Sequence, residues 1–196
     1  VYDRNRDFIL TASPSMDILI SSNLERLLFD LANSNTEKDS ALMDALMQKG
    51  RYEISKEMRE GLKDFYGNYA TEEECADAIR ELFEKTGYLI DTHTAVARAV
   101  YNKYRSETND QTPSVIVSTA SPFKFSRTVL NAIQNKPLGE AHKGQDDFAL
   151  ASQLAQLSAC PVPDAVSSLQ GAEIRHTAVC AISDMQKGLM DFLRLG

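Results

Sequence analysis

The segment Val115-Ile-Val-Ser-Thr-Ala-Ser-Pro-Phe-Lys-Phe125 constrains this chain more than any other stretch. Val115, Ile116 and Val117 are consecutive β-branched apolar residues, the composition of a strand buried on both faces. The run stops on two hydroxyl residues, Ser118 and Thr119. Ser121 then suits a helix N-cap, and Pro122 suits the first helical position, where a missing N–H costs nothing. Strand, turn and helix in that order describe the carboxyl edge of a parallel sheet, where α/β proteins keep their ligand groups. The fold class expected is therefore α/β, helix-rich, with a small and mostly parallel sheet. Its strands are placed at 7–11, 115–119 and 174–180, since helices separate them and parallel crossovers need a dozen or more residues.

Between the first two strands the pattern is helical. Leu24, Leu27, Leu28 and Leu31 share one face of a helix over Asn23–Ala32, which Asn33-Ser-Asn35 ends. A helix from Thr36 to Lys49 closes on Gly50, and a short one starts at Glu53 or Ser55 and runs to about Tyr66. Thr71-Glu-Glu-Glu74 is a capping box for a helix that turns Cys75, Ala78, Ile79, Leu82 and Phe83 inward and stops at Thr86-Gly87. The spacing then predicts helices over His93–Arg105, from Pro122 to about Gln134, and over Phe148–Leu157. A turn at Lys136–Gly139, a short helix capped by Asp164 and a terminal helix capped by Ser183 complete the pattern. Three segments follow: 1–35 as a leading strand and first helix bordering a cleft, 36–87 as a helical insertion, and 88–196 as part of a larger α/β domain.

Composition excludes several functions. A net charge of −7 leaves no basic face for nucleic acid. No apolar run approaches the roughly 18 residues of a membrane span. Cys75, Cys160 and Cys180 are odd in number and far apart, which fits neither a disulfide framework nor a metal site, and the chain is read as cytoplasmic. Hydrophobic residues make up 43%, enough for a packed core.

Two further segments join the first. They are Ser13-Pro-Ser-Met-Asp-Ile-Leu-Ile-Ser-Ser-Asn-Leu-Glu-Arg-Leu-Leu-Phe29 and Asp91-Thr-His-Thr-Ala-Val-Ala97. Together, in this order, the three resemble the carboxyl-terminal part of threonine synthase, and the resemblance runs from about Val1 to the end. It implies the tryptophan synthase β-like fold of pyridoxal-phosphate (PLP) enzymes. It also implies conversion of O-phosphohomoserine and water to threonine and phosphate. Two family features are not found: the Ser-Phe-Lys-Asp setting of the Schiff-base lysine, and a Gly/Asn-rich phosphate loop. The chain, which starts at Val1, is therefore read as a carboxyl-terminal portion that is inactive alone and self-associates through the sheet edge it leaves open. The alternatives are another PLP-dependent lyase or deaminase of the same fold, and a non-catalytic helical interaction domain built on 36–87.

The resemblance assigns Thr119, with its neighbour Ser118, to the pyridine nitrogen of PLP; the plainer reading is a hydroxyl bonding the backbone at a strand end. Asp91 and His93 correspond to the family's Asp-Pro-His-Thr-Ala loop near the cofactor ring, with Thr92 in place of the proline. Their plainer reading is a helix-capping Asp and a structural His. Lys124 is assigned to the substrate phosphate, with Thr94 and Ser121 beside it; Ser121 departs from the histidine often found in relatives. The resemblance assigns no catalytic residue in this stretch and no metal. Asp17 is a candidate for bonding a backbone turn and Glu25 with Arg26 for a buried pair, without a chemical role.

Overall fold

A computed structural model of the chain describes residues 1–136 and 141–194. It divides into two compact units, Val1–Val162 and Pro163–Gly196. The first unit holds α1 (Ser22–Leu31), α2 (Thr36–Lys49), α3 (Lys56–Gly61), α4 (Glu72–Thr86), α5 (Thr92–Thr108), α6 (Ser126–Ile133) and α7 (Asp147–Ser158). It also holds two short strands, β1 (Tyr2–Asp3) and β2 (Arg51–Tyr52).

Two packing groups build this unit. In one, α1, α2, β2 and α3 bury Leu28, Ala32, Leu46, Tyr52, Ile54 and Met58 together. The helix α2 stops because Gly50 takes φ 74°, a left-handed conformation that glycine adopts without strain. A Cβ at Gly50 would collide with the Asn5 side chain. That closeness has a purpose: Asn5 Nδ2 donates to the Lys49 carbonyl (3.1 Å), Arg4 Nη2 to Met47 (3.0 Å), and the Arg4 N–H to Gly50 (2.8 Å). The carbonyl end of α2, which no intrahelical donor can satisfy, is thus closed by the leading segment. Beside it β1 and β2 pair antiparallel, Tyr2 opposite Tyr52, with the two rings stacked at 5.3 Å.

In the other group α4 packs on α5 and α6, and α6 on α7. Here Ile79, Leu130, Leu150 and Leu154 are almost fully buried, and each such burial is worth about 1.5–3 kcal/mol. The capping box forms as expected: the Thr71 N–H donates to Glu74 Oε2 (2.7 Å), and the Glu74 N–H to Thr71 Oγ1 (3.2 Å). Lys103 on α5 reaches Glu74 at 2.8 Å and holds its carboxyl below the usual range, which ties the start of α4 to the middle of α5. Residues 36–87, expected as one helical unit, therefore divide their contacts: α2 and α3 serve the first group, α4 the second.

The second unit contains α8 (Asp164–Ser167) and α9 (Met185–Leu193), neither with a buried residue. Met185, Leu189 and Phe192 on α9 are exposed.

The sheet differs from expectation. Among the described residues it is the antiparallel pair β1–β2, and none of the three expected parallel strands forms. Phe8, Ile9 and Leu10 are exposed; so are Val115 (91%), Val117 (73%), Ile174 and Val179. All three runs have strand composition, but a ladder needs a neighbour on each edge, and no described segment runs beside them. Helix ends also moved. α5 extends to Thr108, into the expected loop, because Asn109 adopts the left-handed stop there. α3 ends five residues before Tyr66. The helix after Pro122 opens with a 3-10 turn, Pro122–Phe125. Pro163, not Asp164, is the α8 cap residue, and α9 starts after Ser183 rather than on it. Glu25 and Arg26 are exposed and form no buried pair; Arg26 bonds Asn23, one turn away on the same helix. Of the expected turn at 136–139, residues 137–139 lie outside the described residues.

Candidate functional site

The N-terminus of α5 is the most heavily hydrogen-bonded buried spot in the molecule. Asp91, Thr92, His93 and Thr94 are each 7% exposed or less, and Asp91 is fully buried. Asp91 is the N-cap. Its Oδ1 accepts from the His93 N–H (2.9 Å), from His93 Nδ1 (3.1 Å) and, more weakly, from the Thr94 N–H (3.4 Å). Its Oδ2 accepts from the Thr94 hydroxyl. A buried carboxylate with four donors at the positive end of a 17-residue helix is compensated both by hydrogen bonds and by the helix dipole. The bonds also fix the imidazole. The Ser15 N–H donates to His93 Nε2 at 3.2 Å, so that nitrogen carries a lone pair and the proton sits on Nδ1, facing Asp91. The Phe125 ring lies against the imidazole, centroids 4.9 Å apart.

His93 thereby gathers all three sequence motifs: the Ser13–Phe29 segment through Ser15, its own loop, and the Val115–Phe125 segment through Phe125. The contact from Ser15 spans 78 residues of sequence. Neither Ser15 nor Phe125 carried a signal of its own in the sequence; only the shared resemblance of the three segments linked them. Ser13, next to Ser15, is buried. Asp17 bonds the backbone turn as expected, accepting from the Thr11 N–H (2.8 Å) and hydroxyl (2.7 Å), which hold its carboxyl below the usual range.

A further bond leads outward. Thr94 Oγ1 lies 3.0 Å from Ser118 Oγ, joining the buried α5 turn to the exposed hydroxyl pair Ser118-Thr119. Of the seven residues singled out in the sequence, Asp91, His93, Thr94 and Ser118 are joined in one network. Thr119 sits at its outer end, exposed. Ser121 caps the 3-10 turn, accepting from the Phe123 N–H at 3.3 Å. Lys124 is exposed on the same turn, its ammonium 6.0 Å from the Phe125 ring centroid.

Two hollows flank α5. One, of about 520 Å³, is lined by Phe8, Leu10, Met16, Tyr69 and Val96 among others. The other, of about 900 Å³, runs along Val100, Tyr101 and Tyr104 beneath the extended Ser114–Val117 backbone. Among the described residues no three His, Cys, Asp or Glu side chains gather as a metal ion would require. No described helix is long and apolar enough to cross a membrane.

A family model described as "Threonine synthase, C-terminal" matches residues 94–181, a span that opens on Thr94 and contains Ser118, Thr119, Ser121 and Lys124. The threonine synthase of Saccharomyces cerevisiae is 34% identical over 173 residues, covering 81% of this chain and 33% of that protein. The crystal structure of threonine synthase from yeast superposes with a TM-score of 0.63 at 30% identity, over 79% of this chain and 33% of that one. The chain belongs to the threonine synthase family. PLP-bound threonine synthase from Brucella melitensis gives a TM-score of 0.58 at 30% identity, over 78% of this chain and 35% of that one. Threonine synthase-like 1 of Homo sapiens is 37% identical over 146 residues, 74% of this chain and 19% of that protein. The chain thus spans about a third of the threonine synthases it matches, and about a fifth of the threonine synthase-like 1 protein.

Proposed function

We propose that this chain supplies one wall of a PLP-dependent threonine synthase site, completed by residues beyond those given. The observation that carries the reading is the Thr94–Ser118 bond. It connects the buried, rigid N-terminus of α5 to two exposed hydroxyls, within a stretch matched by the threonine synthase family model. A pair of neutral hydroxyls held from behind suits the ring nitrogen of PLP. The cofactor, when bound, supplies the electron sink for converting O-phosphohomoserine and water to threonine and phosphate.

The chain's own residues then divide the work. Thr119 and Ser118 meet the cofactor ring. Asp91 and His93 hold the wall in shape behind them. Lys124, exposed one turn on, offers a cation to the substrate phosphate. Ser121 and Thr94 sit beside it, but the Thr94 hydroxyl is already engaged by Asp91 and Ser118, so its contribution runs through Ser118. The segment 1–35 borders the cleft by way of Ser15. Residues 88–196 form part of the cofactor-binding domain, and 36–87 an insertion.

Thr119→Val in the full-length enzyme tests this. It removes one hydrogen bond at constant shape, worth roughly 1–2 kcal/mol. The cofactor absorption spectrum or turnover should change while the melting temperature holds. If both functional readouts stay unaltered, the assignment of Thr119 is wrong. The chain alone should neither retain PLP stoichiometrically after borohydride reduction nor form threonine; both together would overturn the partial-wall reading. The match to threonine synthase-like 1 keeps a different reaction of the same fold as the second reading, and product analysis with O-phosphohomoserine separates the two. Exposed Val115 and Val117 support self-association, which sedimentation over a range of concentrations tests.

A further inference from the structure

The network at α5 has a direction, and the direction has a consequence for what it can bind. A threonine hydroxyl carries one proton. Thr94 gives its proton to Asp91 Oδ2, a carboxylate oxygen that can only accept. At the 3.0 Å contact with Ser118, Thr94 Oγ1 must then accept, and Ser118 must donate. The single Ser118 proton therefore points inward. Toward the space over the 118–119 turn, Ser118 presents lone pairs alone.

We propose that the buried Asp91 carboxylate, acting through Thr94, sets Ser118 as a hydrogen-bond acceptor, so that the group held over this turn is an N–H donor rather than an anion. The inference rests on the threonine synthase reading, because that reading puts a ligand over the turn. Two sources share the required chemistry: the protonated ring nitrogen of PLP, and the ammonium of an amino-acid substrate or product. Asp91 and Thr94 are positioning residues here, and Ser118 is the contact.

The same geometry says how to reverse the device. Oδ1 of Asp91 accepts two backbone N–H groups and the imidazole Nδ1–H. In Asp91→Asn the amide oxygen must occupy that place, where a second N–H could not. The amide nitrogen then falls where Oδ2 was and donates to Thr94. Thr94 must pass its own proton to Ser118, and Ser118 turns its proton outward. Asn remains a good N-cap, so the helix start survives the exchange.

The test measures binding rather than turnover, with PLP and L-threonine as separate probes of the full-length enzyme across the neutral and mildly alkaline range. Where Ser118 only accepts, the parent's affinity for the responsive probe falls as pH strips the probe's proton, by up to about tenfold per pH unit. Thr94→Val leaves the Ser118 proton without a fixed direction and flattens the profile; Thr94→Ser restores it. Asp91→Asn inverts it, with affinity rising with pH. Ser118→Ala names the source, since only the probe held there is weakened. A melting curve for each variant separates loss of fold from change of polarity, and a structural role alone would not change the sign of a slope.

If Ser118→Ala weakens a probe but all four proteins share one profile, the polarity inference is overturned while the threonine synthase reading stands. If neither probe binds, or neither responds to Ser118→Ala or Thr119→Val, the reading fails and the inference with it.

Discussion

The turn at Asp91–Thr94 and the segment Val115–Thr119 were marked by the same sequence reasoning, yet they stand at opposite extremes. The first is buried, and every printed polar contact of Asp91 lies within three residues of it. The second is extended and exposed, with strand composition and no strand beside it. Both are apparent parts of one wall, and a single bond, Thr94 to Ser118, joins them. The difference teaches that a helix start carries its determinants in its own few residues, while a strand borrows half of its stability from residues elsewhere.

The largest effect that could break this comparison is at Asp91. Asp91→Ala removes the cap and leaves the buried Thr94 hydroxyl and His93 N–H groups without an acceptor. The expected loss is roughly 2–4 kcal/mol in a denaturant melt. A loss below about 1 kcal/mol would mean the turn is held by packing rather than by its carboxylate.

Next comes the alkaline behaviour of two tyrosines, one on each side of the contrast. Burial pushes the Tyr52 phenol up to about 12. Its ordinary value is near 10, so the unfolded chain releases that proton first, and Tyr52's contribution to stability is lost as pH rises from about 10 to 12. Tyr101, under the extended segment, has its phenol lowered, chiefly by a hydrogen bond from Ser114. Its contribution has the opposite sign. A spectrophotometric titration of the seven tyrosines should find Tyr101 early and Tyr52 last, and Ser114→Ala should delay Tyr101.

A smaller loss is expected at the capping box. Thr71→Ala should cost about 1 kcal/mol, because the Glu74 N–H loses its acceptor. The smallest effect belongs to the exposed segment. Val117→Ser should shift stability by no more than about 0.5 kcal/mol in this chain, since the side chain is 73% exposed. A cost above 1 kcal/mol would show that Val117 is covered in solution, by a second copy or otherwise, and concentration dependence of the melt would identify the copy.

The same contrast explains what could be read from the sequence. The bounds of α2 and the stop of α4 were legible because Gly50 and Gly87 are left-handed terminators and Thr71-Glu-Glu-Glu74 is a complete local signal. Asp91 and Thr94 were legible as a group for the same reason. Ser15 and Phe125 were not, because their contacts with His93 depend on how distant segments pack. The parallel strands were misjudged because Val-Ile-Val states that a residue wants cover, not where the cover comes from. The antiparallel pair β1–β2 was missed because two residues per strand are too short for any alternation to register.

The latch at the foot of α2 has a consequence for handling the molecule. Arg4 and Asn5 reach carbonyls 43 and 44 residues further along. They are made first and must wait for most of α2 before they have a partner, so the last turn of that helix is completed by a long-range encounter rather than by simple elongation. Whatever is fused ahead of Val1, such as an affinity tag, is delivered to the tightest corner of the first packing group. A leader that pulls Asn5 off Lys49 would fray α2 from its carbonyl end and loosen Tyr2 from Tyr52 in the same motion, so the choice of leader belongs among the variables of any measurement made on this chain.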